Sequence, residues 1–296
     1  MQAARMKSGA TPWTWALRRP ERWVPHLVLL AGVALFVFPV YVAMIGSTHD
    51  AATIARGEMP LRPGPYLTTN YIQAWLVGRG ERVTASPVSR MMLNSLIMAL
   101  VIATGKIAVS LLSAYAITFF DFPLRMVFFW LIFLTLMLPV EVRIIPTYAV
   151  MTKLGLINTF TGLTVPLMAS ATGTLIFRQF FLTVPDELVE AAKIDGAGPL
   201  RFFFSILLPI SATTIAALFV ILFIYGWNQY LWPLLITTTE GMQTIVIGIT
   251  KMIGTGEAQT DWQIIMATTI LAMLPPTAVV LLAQRWFIKG LTEGEK

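Results

Sequence analysis

The sequence predicts an all-α integral membrane protein: a six-transmembrane-helix bundle with both termini in the cytoplasm. Three observations carry this. Of 296 residues, 56% are hydrophobic and 12% charged, with mean hydropathy +0.74, whereas soluble domains carry about twice that charge. Six apolar stretches, approximately 25–46, 91–119, 127–147, 160–182, 206–235 and 263–284, are long enough to span; a helix needs about 20 residues to cross ~30 Å of hydrocarbon. Lys and Arg count twelve on the side of the two termini against eight on the other, with Lys106 inside a span. The first span weighs most in setting orientation, and its N-terminal flank is the more basic one.

Taken in order, residues 1–24 form a cytoplasmic tail with Arg5, Lys7, Arg18, Arg19 and Arg22. The apolar run after it covers 25–46, longer than the about 7–15-residue core of a cleaved signal peptide, so it is expected to stay as the first span. His26 and His49 lie near its two ends and read as interfacial residues. A long polar loop, 47–90, is rich in Pro, Gly and aromatics, among them Pro60, Pro63, Gly64, Pro65, Tyr66, Tyr71 and Trp75. A short turn around Asp121–Arg125 joins the second and third spans, and 148–159 joins the third and fourth. The fifth stretch exceeds one span, and Pro233 is expected to end or kink its helix. Residues 236–262 connect to the sixth span, and 285–296 form a polar cytoplasmic tail. The domain reading is one transmembrane unit over 25–284. The net charge of +6 belongs to membrane topology and gives no reason to expect nucleic acid.

The loop 183–205 between the fourth and fifth spans is the most informative stretch. Thr183 is expected to cap a short helix. Pro185 suits its first turn, and Asp186 and Glu187 sit at the positive end of its dipole. Leu188, Ala191 and Ala192 are spaced to share a small apolar face with Glu190 beside it. Gly196 can take the left-handed conformation that ends the helix, and Pro199 can open another. A helix lying on lipid favours aromatic and basic residues. This one offers Asp186, Glu187, Glu190 and Asp195 against Lys193, which anionic lipid disfavours. The pattern fits a helix that docks into a groove of another protein.

The string Glu190-Ala191-Ala192, two residues on Asp195-Gly196-Ala197, then Phe203 and Leu208-Pro209, resembles the coupling motif of bacterial ABC importer permeases. With six spans and this loop between the fourth and fifth, the chain resembles the type I, maltose-permease-like family of carbohydrate importers. That resemblance implies that Glu190, Ala191, Ala192, Asp195, Gly196 and Ala197 seat in a cleft of an ATP-hydrolysing subunit. It further implies a second, different permease subunit, a homodimeric ATPase and a periplasmic or lipid-anchored substrate-binding protein, in a bacterial inner membrane among its lipids. Met92–Ser95, Leu138–Arg143, Pro166–Thr172 and Tyr225–Pro233 resemble the branch of these importers that carries sn-glycerol-3-phosphate. This implies that cargo, with glycerophosphodiesters as an extension. A neutral sugar, oligosaccharide or polyol is the alternative within the class. An ion-coupled secondary transporter is a remoter one, for which no pair of related halves is evident.

Charges within spans are costly and mark function. Lys106 lies deep in the second span and suits an anion in the pathway, or a structural partner on another helix. Glu141 and Arg143 follow Pro139 near the outer end of the third span and are pathway candidates; Arg143 suits the substrate or a binding protein, Glu141 suits pairing with another chain, and both suit interfacial anchoring. Asn94 and Asn228 read as helix–helix hydrogen-bonders beside the pathway, and Trp227 as a pathway or belt aromatic. No Gly-x-x-x-x-Gly-Lys-Ser/Thr loop exists, Cys is absent, and His and carboxylates do not cluster. The chain is expected to be a non-enzymatic subunit binding no metal or cofactor itself, with ATP and Mg held by the partner ATPase.

Overall fold

A computed structural model of the chain describes residues 23–78, 86–253 and 260–293, without the side chains of 140, 141 and 285–293. The described residues are helical and contain no strand. The order is α1 Trp23–Gly46, α2 Ala51–Ala55, α3 Leu67–Leu76, α4 Val88–Phe119, α5 Arg125–Leu134, α6 Val140–Lys153, α7 Phe160–Thr164, α8 Ala171–Phe181, α9 Asp186–Ile194, α10 Pro199–Phe202, α11 Leu208–Ile210, α12 Ala212–Trp227, α13 Leu231–Ile236, α14 Ile245–Met252 and α15 Trp262–Glu293.

Three described helices are unbroken and apolar enough to cross a membrane: Trp23–Gly46, Val88–Phe119 and Trp262–Gln284. Two further stretches are bent pairs, Phe160–Leu167 with Ala171–Phe181 at 47° and Pro199–Ile210 with Ala212–Trp227 at 72°. The stretch expected as a span over 127–147 is divided between α5 and α6. Pro139 explains the division, because a proline pushes the residue before it out of the helical region. The fifth stretch also differs from expectation. Its helix ends at Trp227, and Pro233 sits in the first turn of α13, where a missing N–H costs nothing. The bend lies earlier, at Ser211, whose hydroxyl donates to Leu207 O at 2.6 Å. Just before it, Pro209 cannot donate back to Ser205, and the backbone widens into a π turn over Phe203–Leu207.

The core forms around α4, which packs against α8 on one side and α12 on the other, with α14 and α15 completing it. Small residues let the backbones approach, as membrane helix packing requires. A Cβ on Gly226 would stand 2.9 Å from Ala99 Cα, and one on Gly173 would press on Ser110 Oγ. Helix α1 is almost wholly exposed and joins the body through its last turn, where Gly46 meets Met266 of α15. Asn70 closes the following loop by donating to Ser47 O at 2.9 Å and His49 O at 2.8 Å.

At the α14 end, a strap over Thr237–Gln243 is tied on both sides. Asn158, at φ 57°, accepts from Thr238 N and Thr239 N, at 2.7 and 3.0 Å. From α4, Asn94 Nδ2 donates to Gly241 O and Gln243 O, both at 2.9 Å, and Arg90 Nε donates to Gly241 O at 3.0 Å. Asn94 therefore serves as a buried clamp for the strap. Asn94→Leu leaves Gln243 O without its buried donor, at a cost of about 1–3 kcal/mol. Amide exchange across Gly241–Ile245 is expected to accelerate while exchange in α8 is unchanged.

Candidate functional site

Two places carry chemistry. The first is the loop holding α9. Pro185 stands at its N-cap with no side-chain cap, Asp186 and Glu187 occupy the first turn, and Lys193 the last, in keeping with the helix dipole. Thr183 does not cap this helix as expected. Its hydroxyl donates to Phe180 O at 2.7 Å and finishes α8 instead. The C-terminus closes as a Schellman motif: Gly196 takes φ 69° and donates to Lys193 O at 3.0 Å, and Ala197 N donates to Ala192 O at 2.9 Å.

The exposed face differs from the spacing argument. Ala192 is 5% exposed and turns inward, with Val189 and Ala197 packed beside it. Glu187, Glu190, Ala191 and Ile194, one helical face at i, i+3, i+4 and i+7, are exposed, and Ile194 is 86% so. Asp195 and Gly196 are exposed too. The inward turn follows from α4. Tyr115 OH donates to Pro199 O at 2.9 Å, and its ring lies among Phe119, Phe120, Phe202 and Phe203 at centroid separations of 5.0–6.4 Å. Tyr115, Phe119 and Phe120 with Val189, Ala192 and Phe202 line a cleft of about 280 Å³ beneath α9. An aromatic bolt thus fixes the loop to the end of α4. Sequence reasoning missed Tyr115; a tyrosine inside an otherwise apolar span was its signal.

The second place is a cavity of about 490 Å³ between α4, α5, α6, α8 and α12. Lys106 from α4 and Arg143 from α6 both line it. Lys106 is 7% exposed, and its Nζ sits 4.0 Å above the ring of Tyr225, a cation–π contact. Ser113, Thr135, Thr172 and Thr174 add hydroxyl-bearing side chains to the wall. No carboxylate is among its described lining residues. The α8 N-terminus also faces the cavity through Ser170, Ala171 and Thr172, and such termini favour negative charge. Chemically, the arrangement can hold a small anion.

Lys106 and Arg143, 37 positions apart in sequence, are therefore brought together. Three of the other pathway candidates, Asn94, Trp227 and Asn228, are not among the residues lining it. Asn94 clamps the strap, Trp227 is 3% exposed and stacks on Phe223 at 6.0 Å, and Asn228 is the exposed C-cap of α12. The side chain of Glu141 lies outside those described. Tyr225 and the α8 N-terminus were missed; the aromatic run around Tyr225 reads equally as an interfacial belt.

Residues 106–293 match the family described as "Binding-protein-dependent transport system inner membrane component". Similar curated proteins include the sn-glycerol-3-phosphate transport system permease protein UgpE of Rhizobium meliloti (strain 1021), 59% identical over 280 residues, 94% of this chain and 99% of that protein. The UgpE of Agrobacterium fabrum is 58% identical over 275 residues, 93% of this chain and 97% of that one. The UgpE of Yersinia pestis bv. Antiqua is 57% identical over 271 residues, 92% and 96%. Among solved structures, the crystal structure of a bacterial ABC transporter involved in the import of the acidic polysaccharide alginate matches with TM-score 0.77. The match covers 95% of this chain and all of that one, at 17% identity, and bears on the fold alone.

Proposed function

The chain belongs to the family of binding-protein-dependent transport system inner membrane components, and on that premise we propose that it is the permease subunit of an ATP-driven importer of sn-glycerol-3-phosphate. One observation carries the cargo: similarity at 57–59% identity, over nearly the full length, to three permeases named for that substrate. A cavity lined by two cations and no described carboxylate supports an anionic cargo.

The subunit works with a second, different permease, a homodimeric ATPase and a substrate-binding protein. With both termini in the cytoplasm, α9 presents Glu187, Glu190, Ala191 and Ile194 to the ATPase, while Asp195, Gly196 and Ala197 hold the turn that aims it. Closure of the ATPase dimer displaces α9. The aromatic bolt at Tyr115 transmits the displacement to α4, which carries Lys106 about 14 Å further along at 1.5 Å per residue. Access to the cavity then alternates between the two sides. The chemistry of ATP hydrolysis, with its Mg, belongs to the ATPase.

The test is uptake by the whole importer in proteoliposomes with ATP inside and binding protein outside. Labelled sn-glycerol-3-phosphate is expected to accumulate only when ATP and binding protein are both present. Accumulation of a neutral sugar in its place, or uptake driven by an ion gradient without ATP, would overturn the reading.

A further inference from the structure

We propose that the cavity between α4, α5, α6, α8 and α12 is a phosphate-monoester subsite belonging to this chain, built for a dianion in preference to a monoanion. The proposal rests on the importer reading and adds where on this subunit the cargo's phosphate sits. Three independent sources of positive potential converge there: the Lys106 ammonium, the Arg143 guanidinium and the α8 N-terminus. Neither side chain is neutralised by a described partner. The ion pairs among the described residues are Arg56 with Glu58 and Arg125 with Asp121, both elsewhere. A lysine this buried, with no counter-ion among the described residues, fits an anion as its partner.

The backbone makes the same point. Helices break at 135–139 and at 168–170, and residues from both breaks, Thr135, Leu138, Ala169 and Ser170, line this one cavity. Non-helical backbone at membrane depth is tolerated where it is buried in protein or faces a water-filled space. Two breaks opening on one cavity supply that space and aim the α8 N-terminus into it. Tyr225 completes the device. Its ring holds the Lys106 ammonium at 4.0 Å, and a phosphate oxygen offers that ammonium a stronger partner.

Two fixed positive charges match a phosphate monoester, which carries close to two negative charges above its second pKa of about 6. A phosphodiester carries one and leaves a cation unmatched. The charged and titratable groups facing the site are Lys106 from α4, Arg143 from α6 and Tyr225 from α12, with none from α5 or α8 among the described lining residues.

The test is equilibrium binding to the purified importer complex without binding protein, using labelled sn-glycerol-3-phosphate, a glycerophosphodiester and glycerol. The monoester is expected to bind at least about ten-fold more tightly than the diester at pH 7.5, with glycerol weaker still. Its affinity is expected to fall about ten-fold by pH 5, as the dianion fraction falls. Lys106→Gln and Arg143→Gln are each expected to weaken monoester binding ten-fold or more and to abolish both the preference and the pH dependence. Lys106→Arg is expected to retain them. If Lys106→Gln does not assemble, Arg143→Gln, on an exposed stretch of α6, carries the test alone. Variants that assemble and bind the monoester within two-fold of wild type overturn the subsite, as does a wild type that binds monoester and diester equally. Uptake by the wild-type importer judges the importer reading separately: uptake with unaltered binding in the variants sinks the subsite alone.

Discussion

Importers carrying Glu190→Ala or Gly196→Pro are expected to take up cargo at least ten-fold less per ATP hydrolysed, with the subunit present in the membrane at its usual level. The two changes act differently. Glu190 is exposed and makes no ion pair among the described residues. Its removal therefore costs the chain no more than the roughly 0.5 kcal/mol typical of surface substitutions. On the proposed coupling role, whatever uptake it loses is lost at the interface with the ATPase. Gly196 acts through geometry. Proline fixes φ near −65°, while Gly196 sits at φ 69° and its N–H closes the helix on Lys193 O. Gly196→Pro unwinds the last turn, and Ile194 is no longer held where it is 86% exposed. Uptake and phosphate release are measured on the same proteoliposomes. Normal uptake in either variant would remove the coupling role from this loop.

The loop was legible in sequence because its signals are local. Proline at the start, acids in the first turn and glycine after the last act within a few residues of one another. The direction in which α9 faces was not legible, because it is set by Tyr115 and Phe119, about 70 positions away on α4. The same contrast holds for the cavity. A charge inside an apolar stretch announces itself, so Lys106 and Arg143 could be named. That they share one space depends on helix breaks at 135–139 and 168–170. Hydropathy averages over an isolated proline or a pair of small residues, and so reads 127–147 and 160–182 as continuous. Asn94 and Trp227 show the converse. A polar or aromatic side chain in a span suits a pathway and a packing contact equally, and only the fold assigned both to packing. The all-helical membrane class needed none of this, since composition and stretch length decide it.

Gly226→Leu is expected to force α4 and α12 apart. Where α12 packs on α4, a Cβ at 226 would lie 2.9 Å from Ala99 Cα and 3.4 Å from Ala99 O. Those are backbone atoms and cannot rotate away, unlike Met266 beside Gly46 or Met168 beside Gly105, whose ends can move. The helices must separate, and overpacking of this kind costs about 1–3 kcal/mol. Function suffers beyond stability, because Tyr225 is the adjacent residue and Lys106 faces it from the other helix. Shifting α12 by even an ångström loosens the Tyr225–Lys106 contact and changes the shape of the cationic cavity. Gly32→Leu is the matched control: a Cβ there meets nothing within 4 Å. Its thermal midpoint in detergent is expected to stay at the wild-type value, while that of Gly226→Leu falls and sn-glycerol-3-phosphate binding falls with it. A Gly226→Leu protein with wild-type midpoint and binding would show that α4 and α12 can separate without cost, and with that the rigid path from α9 through α4 to Lys106 would lose its footing.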